Sequence, residues 1–246
     1  MAGPQDSPWW LAVATEQAAA FRQAAQAADP ELPVPSCPGW RFRELVLHTA
    51  RFLQIVGGQL RTGGADRARP VPEPATISDP LDFFDQQLDD CLRLLAACPP
   101  NSPLWTFSPA APSLAWFWHR RVAHELNLRR WDAQATLRCL VPTKRALAVD
   151  GIDEVLGTLL ASRYTAASSP AATGAVLVSC TDGPERWLVW LQPGEAPEVV
   201  RDPADLPAAK ATTAGRATAL YHGLWGRIEL PMAEGCPVLL SGVQAH

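Results

Sequence analysis

Lysine is nearly missing from this 246-residue chain: of its 21 basic residues only Lys144 and Lys210 are lysines, and the rest are arginine. That bias points to a GC-rich genome and places almost all positive charge on groups that do not deprotonate. A basic excess is missing too. Net charge is −4 and the pI about 5.7, so no global field draws the chain to nucleic acid and no such partner is expected. No run approaches the roughly 18 apolar residues of a bilayer span, and nothing at the start resembles a secretory signal, so no membrane partner is expected. The six cysteines, Cys37, Cys91, Cys98, Cys139, Cys180 and Cys236, form no CxxC pair, which removes the common zinc and dithiol motifs. These absences together point to a cytoplasmic protein with reduced thiols.

What is present is apolar bulk: 48% of residues are hydrophobic and only 19% charged, enough for one large or two small globular domains. The stretch Trp116–Gln134, WFWHRRVAHELNLRRWDAQ, contains no Pro or Gly and reads as one long helix. At about 100° per residue, Arg121, Glu125, Leu128, Arg129 and Asp132 share a face. Trp116, Phe117, Trp118 and Trp131 crowd the same helix, so most of its circumference is expected to be covered by protein. Charges there need partners.

Three other helices are expected before it. Ser7-Pro8 opens the first, which runs through the alanine-rich Trp9–Ala28. The proline-rich Asp29–Trp40 is a rigid connection. The second helix is read over Phe42–Val56 with Leu45, His48, Phe52 and Ile55 on an inward stripe, and Gly57–Thr76 is read as a loop. Ser78-Asp79-Pro80 opens a third helix, to about Ala97. Pro99–Pro112 is a long connection held to the body by Trp105 and Phe107. After Pro142 a helix over Lys144–Tyr164 precedes short alternating runs at Ala175–Cys180, Arg186–Gln192 and Glu198–Arg201, with Asp182-Gly183 marking a hairpin. Thr212–Gly226 reads as an amphipathic helix and Cys236–Gly242 as a last strand. The expected class is α+β: a four-helix bundle over residues 1–142 and a smaller α+β domain over 143–246.

His48 and Glu125 then stand on inward faces of two bundle helices, the geometry from which metal sites in bundles are built. The bland alternative is a hydrogen-bonded core histidine and a glutamate paired with arginine. Sequence context adds to this. VPSCPGWRFRELVLH (Val34–His48), RVAHELNLRRWDAQ (Arg121–Gln134), VDGIDEVL (Val149–Leu156) and ALYHGLWGRI (Ala219–Ile228) resemble, in order and spacing, the mycothiol-dependent maleylpyruvate isomerase family. The resemblance implies a DinB-like four-helix bundle with a C-terminal α+β domain, and an enzyme acting on a small anionic metabolite in a cleft between the two. It also implies mycothiol as thiol cofactor and a divalent metal, usually zinc, held by two histidines and a glutamate. Two of those positions fall on His48 and Glu125.

The third does not match. Where the family reads HExxxHRWDAE this chain reads HELNLRRWDAQ, so Arg129 replaces the second histidine and Gln134 an acidic residue. A guanidinium offers only donors and cannot coordinate a cation. Zinc is therefore doubtful, unless His119, His124 or His222 substitutes. Without it, His48 and Glu125 remain as candidate acid–base groups, and Arg121, Arg129 and Arg227 as candidate binders of an anionic substrate. Three functions stay open: a thiol-dependent isomerase or transferase, a metal-free descendant running an isomerisation or cyclisation in a biosynthetic pathway, and a non-catalytic small-molecule binder. Cys37 is read as structural, as are the other thiols.

Overall fold

The computed structural model describes residues 7–70, 77–164, 172–205 and 208–245. They belong to two compact units, Ala2–Thr106 with Ala111–Val141, and Pro142–His246 with Phe107–Ala110.

The first unit is built on four helices: α1 (Ser7–Ala27), α2 (Phe42–Thr62), α3 (Pro80–Ala97) and α4 (Trp116–Thr136). α1 lays Trp10, Val13, Ala14, Gln17, Ala18, Phe21 and Ala24 along one stripe and packs on α4, its alanines permitting close approach. α2 packs on α3, and α1–α3 and α2–α4 contacts close the bundle. Phe21, Phe84, Leu53 and Leu126 are fully buried in its core, each contributing roughly 1.5–3 kcal/mol of apolar transfer. Asp79 caps α3, its Oδ1 accepting from the backbone N–H groups of Leu81 and Asp82 at 2.8 and 3.3 Å, with Pro80 in the first helical position. The long connection before α4 is pinned where Trp118 Nε1 donates to Trp105 O at 2.7 Å. Among the described residues before Arg138 the only β pairing is isolated bridges.

Two expectations for α2 are corrected. The helix runs on to Thr62 through Gly57 and Gly58. These glycines do not break it because Gly57 is a contact point: a Cβ there would lie 3.3 Å from Asp90 Oδ2 and 3.7 Å from Leu94 Cδ1 of α3. The buried stripe is Phe42, Leu45, Val46, Thr49, Ala50, Leu53 and Val56, while Ile55 is 58% exposed and Phe52 half-buried. His48 sits at the border of that stripe. Of the expected Gly57–Thr76 loop, residues 71–76 lie outside the described ones.

In the second unit α5 (Arg145–Glu154) passes through a π-helical turn, Val155–Leu159, into α6 (Leu160–Arg163). Ser108 Oγ donates to Thr158 O of that turn at 2.6 Å. The sheet holds β1 (Gly174–Cys180), β2 (Arg186–Leu191), β3 (Glu198–Arg201), β4 (Ala211–Gly215) and β5 (Glu234–Gly235) in the order β3-β2-β1-β4-β5. β1 and β2 are antiparallel with Val176 opposite Val189, whereas β1 and β4 are parallel with Val178 beside Thr213. Trp187 of β2 is fully buried and donates Nε1–H to Asp153 Oδ1 at 2.7 Å.

Here too two expectations are overturned. The Thr212–Gly226 helix splits: Ala211–Gly215 forms β4, and only α7 (Ala217–Leu224) is helical, its first N–H accepted by Asp182 Oδ1 at 2.9 Å. Small residues pack readily in a helix, but here they fill the slot beside β1. The expected last strand is helix α8 (Pro237–Gly242), begun by Pro237, whose fixed φ suits a first helical position. No helix among the described residues is long and apolar enough to cross a membrane.

Candidate active site

Every residue of α4 from Phe117 to Arg130 is buried, so its charges must be satisfied by one another and by the chain around them. Four of them, Arg121, Glu125, Arg129 and Asp132, form a ladder on one face. Arg121 Nη2 donates to Glu125 Oε2 at 3.0 Å, Arg129 Nε to Glu125 Oε1 at 2.7 Å, and Arg129 Nη1 to Asp132 Oδ2 at 3.0 Å. These are i,i+4 and i,i+3 pairs, which the helical repeat brings together. Burial alone would push the Glu125 carboxyl up, but the guanidinium groups of Arg129 and Arg121 more than offset it and hold it well below the ordinary carboxylate range. For Arg129 burial acts downward, and Glu125 and Asp132 overcome it, so its pKa rises further.

The PSCPGW connection supplies the next layer. Trp40 N–H donates to Cys37 O at 3.0 Å, closing a tight turn with Pro38 and Gly39 at its centre. Gly39 has φ +85°, the left-handed conformation that a type II turn demands at its third residue. The turn delivers three side chains to the ladder. Ser36 Oγ donates to Asp132 Oδ1 at 2.7 Å, Cys37 Sγ lies 3.7 Å from Asp132 Oδ2 and 3.8 Å from Arg129 Nη1, and the Trp40 ring lies 5.7 Å from the Arg129 guanidinium carbon. Sequence reasoning nominated none of Ser36, Trp40 and Asp132 as site residues and read Cys37 as structural. The signal available was the PG pair fixing a turn immediately before α2.

His48 completes the arrangement. Its Nε2 is 3.1 Å from Arg129 Nη2 and 3.4 Å from Glu125 Oε1, and its ring lies 4.7 Å from that of Trp40. The His48 side chain is 42% exposed, against 8% for Glu125 and 10% for Arg129. The first of these is thus the group a dissolved molecule can touch.

His48, Arg121, Glu125 and Arg129 are therefore brought together, with Arg121 and Arg129 turned onto the glutamate. Arg227 lies in the other unit, where its Nη1 donates to Trp225 O at 2.9 Å. The other histidines among the described residues are engaged elsewhere: His119 with Ala115 O and Leu95 O, both at 3.0 Å, His124 against the Trp10 ring, and His222 with Thr143 Oγ1 at 3.2 Å. No group of three His, Cys, Asp or Glu side chains among the described residues has metal-ligand geometry. The donor set around His48 does not fit a divalent ion. A guanidinium, permanently protonated and without a lone pair, lies within hydrogen-bonding distance of both His48 Nε2 and Glu125 Oε1, where a shared cation would bind.

Residues 11–134 match the family model for the mycothiol maleylpyruvate isomerase N-terminal domain. The chain belongs to that family. Its match spans α1 to α4 and so contains every residue of the His48 cluster. No curated protein sequence matches the chain. Two solved structures share the fold of this family member at low identity. A mutant of the mycothiol-dependent maleylpyruvate isomerase with one histidine replaced by alanine aligns with a TM-score of 0.62 and 9% identity, covering 95% of this chain and 96% of that one. A second structure of the mycothiol-dependent maleylpyruvate isomerase gives 0.55 and 10%, with the same coverage. The α+β class and the helical first unit expected for the family are those observed.

Proposed function

We propose that this family member is a metal-independent enzyme that isomerises a small anionic metabolite at the His48 cluster. The observation that carries the reading is the placement of His48: half-exposed outward, and held inward at Nε2 by Arg129. A group so placed can exchange a proton or a hydrogen bond with a substrate while its ring stays oriented. Glu125, kept ionised between two arginines, is a positioning residue; it offsets positive charge that would otherwise lie uncompensated in a buried ladder. Beside the half-exposed His48 the site presents the ring of Trp40, which suits a planar ligand. Of the arginines nominated for substrate binding, Arg129 is the one beside the exposed histidine, while Arg121 acts through Glu125.

Maleylpyruvate with mycothiol as thiol co-substrate, the pair in the relatives' names, is the first combination to assay. Turnover followed by ultraviolet absorbance, with and without mycothiol and in chelator, should persist in chelator and fall about 10²–10⁴-fold in His48→Ala. A fully active His48→Ala protein, or activity that vanishes with chelator and returns with zinc, overturns the reading. The guanidinium in the third ligand position favours the metal-free descendant over the zinc enzyme. A ligand returned chemically unchanged would favour the non-catalytic binder.

A further inference from the structure

A guanidinium can only donate hydrogen bonds, so its contact with an imidazole nitrogen specifies what that nitrogen is. Arg129 Nη2 lies 3.1 Å from His48 Nε2. For this to be a hydrogen bond the neutral ring must carry its lone pair on Nε2 and its proton on Nδ1. The competing arrangement, an Nε2–H directed at Glu125, is the poorer one. Glu125 Oε1 is farther away, at 3.4 Å, and its nearer donor is Arg129 Nε at 2.7 Å. It would also bring an N–H of the ring against an N–H of the guanidinium.

Nδ1, in contrast, has no hydrogen-bond partner among the described residues; the polar contacts of His48 run through Nε2. The groups facing the ring are Trp40, tilted against it at 4.7 Å between ring centres, Arg129 and Glu125. The half-exposed side chain therefore meets solvent through Nδ1.

We propose that Arg129 fixes His48 as its Nδ1–H tautomer, so that the ring meets a ligand through a neutral N–H donor suited to a carbonyl or carboxylate oxygen. Arg129 is a positioning residue in this scheme, acting through His48. The ligand class rests on the functional reading above; the tautomer rests on the geometry alone. A neutral imidazole N–H stabilises developing negative charge on oxygen without adding a net charge to the pocket, and it offers nothing to an ammonium or amide N–H. The site thereby selects oxyanion-bearing small molecules.

Long-range ¹⁵N–¹H spectra of protein labelled in its histidine rings, with the pH raised until the shifts stop moving, test the tautomer directly. His48→Gln assigns the signal. The expected His48 pattern is a pyrrole-like Nδ1 and a pyridine-like Nε2; the reverse pattern, or averaged shifts, overturns the proposal. In Arg129→Met the signals should exchange, and retention of Nδ1–H there removes Arg129 from the scheme; the wild-type spectrum decides the tautomer even if that variant does not fold. Oxalate added to the wild type should shift the Nδ1 resonance selectively, and an unmoved Nδ1 at saturating oxalate overturns the ligand class. A protein with this tautomer that binds oxalate but turns over no substrate would refute the enzyme reading and leave this one standing.

Discussion

Arg129→Met is the perturbation that most directly tests the cluster. It removes one of two cations from a buried ladder of two arginines and two carboxylates, at a side chain only 10% exposed. Deleting one partner of a buried pair costs about 3–5 kcal/mol, because the other charge stays behind in a medium that does not solvate it. Arg121 still reaches Glu125, and Ser36 still reaches Asp132, so the lower end, about 3 kcal/mol, is expected. Urea unfolding of the helical unit, followed by far-ultraviolet circular dichroism, should show a midpoint lower by about 1 M if m is about 3 kcal/mol/M. The pH dependence supplies a second readout. The Glu125 carboxyl is held well below its ordinary value, so its stabilisation is fully present above the unfolded value of about 4.3 and is lost as pH falls through the lower folded value. In Arg129→Met much of that depression disappears, and the gap between the two proteins should narrow as pH drops below about 4. A difference under about 1 kcal/mol at neutral pH, or one independent of pH, would refute the account of the ladder.

The other predictions concern the third ligand position, the turn and the thiols. Wild-type protein should carry far less than one equivalent of zinc by elemental analysis, whereas Arg129→His, joining His48 and Glu125, should bind it. Zinc at a hundredfold excess over Kd should then raise Tm by roughly 5–10 °C through about 2.7 kcal/mol of linkage, and an unshifted Tm counts against the site. Gly39→Ala meets no atom within 4 Å, so its expected loss of about 1–2 kcal/mol comes only from φ +85°; unchanged thermal stability would contradict the turn. Burial pushes the Cys91 thiol up to about 12, so native protein in mildly alkaline iodoacetamide should be labelled at exposed Cys139 and not at Cys91. Early labelling of Cys91 by mass spectrometry would show an open core.

The helices of the first unit were legible wherever a local signal and the apolar period agreed, as at Asp79-Pro80 for α3 and in the uninterrupted run of α4. They were misjudged where tertiary packing reassigns a residue's usual meaning. Gly57 and Gly58 read as a breaker because the approach of α3 is invisible in one dimension. Ala211–Gly215 has weak strand character of its own, and its place beside β1 decides its state. Pro237 read as part of an apolar strand when it starts a helix. In the site, the helical spacing on α4 already put Glu125 on one face with Arg121 and Arg129, and the family motif pointed to His48. Trp40, Cys37 and Ser36 escaped because a turn 89 to 96 residues away in sequence brings them to α4, and no periodicity reports that.

The bond from Ser108 to the π-helical turn has a consequence in time. Residues 107–110 leave the ribosome between α3 and α4, yet they belong to the unit made afterwards, and the carbonyl that receives Ser108 is synthesised 50 residues later. At synthesis rates of about 5–20 residues per second that is a wait of roughly 3–10 s. A nascent bundle must hold this short stretch ready without a destination. No single cut in the gene separates the two units either: a fragment ending at Val141 keeps the stretch without its receptor, and one beginning at Pro142 keeps the receptor without the stretch.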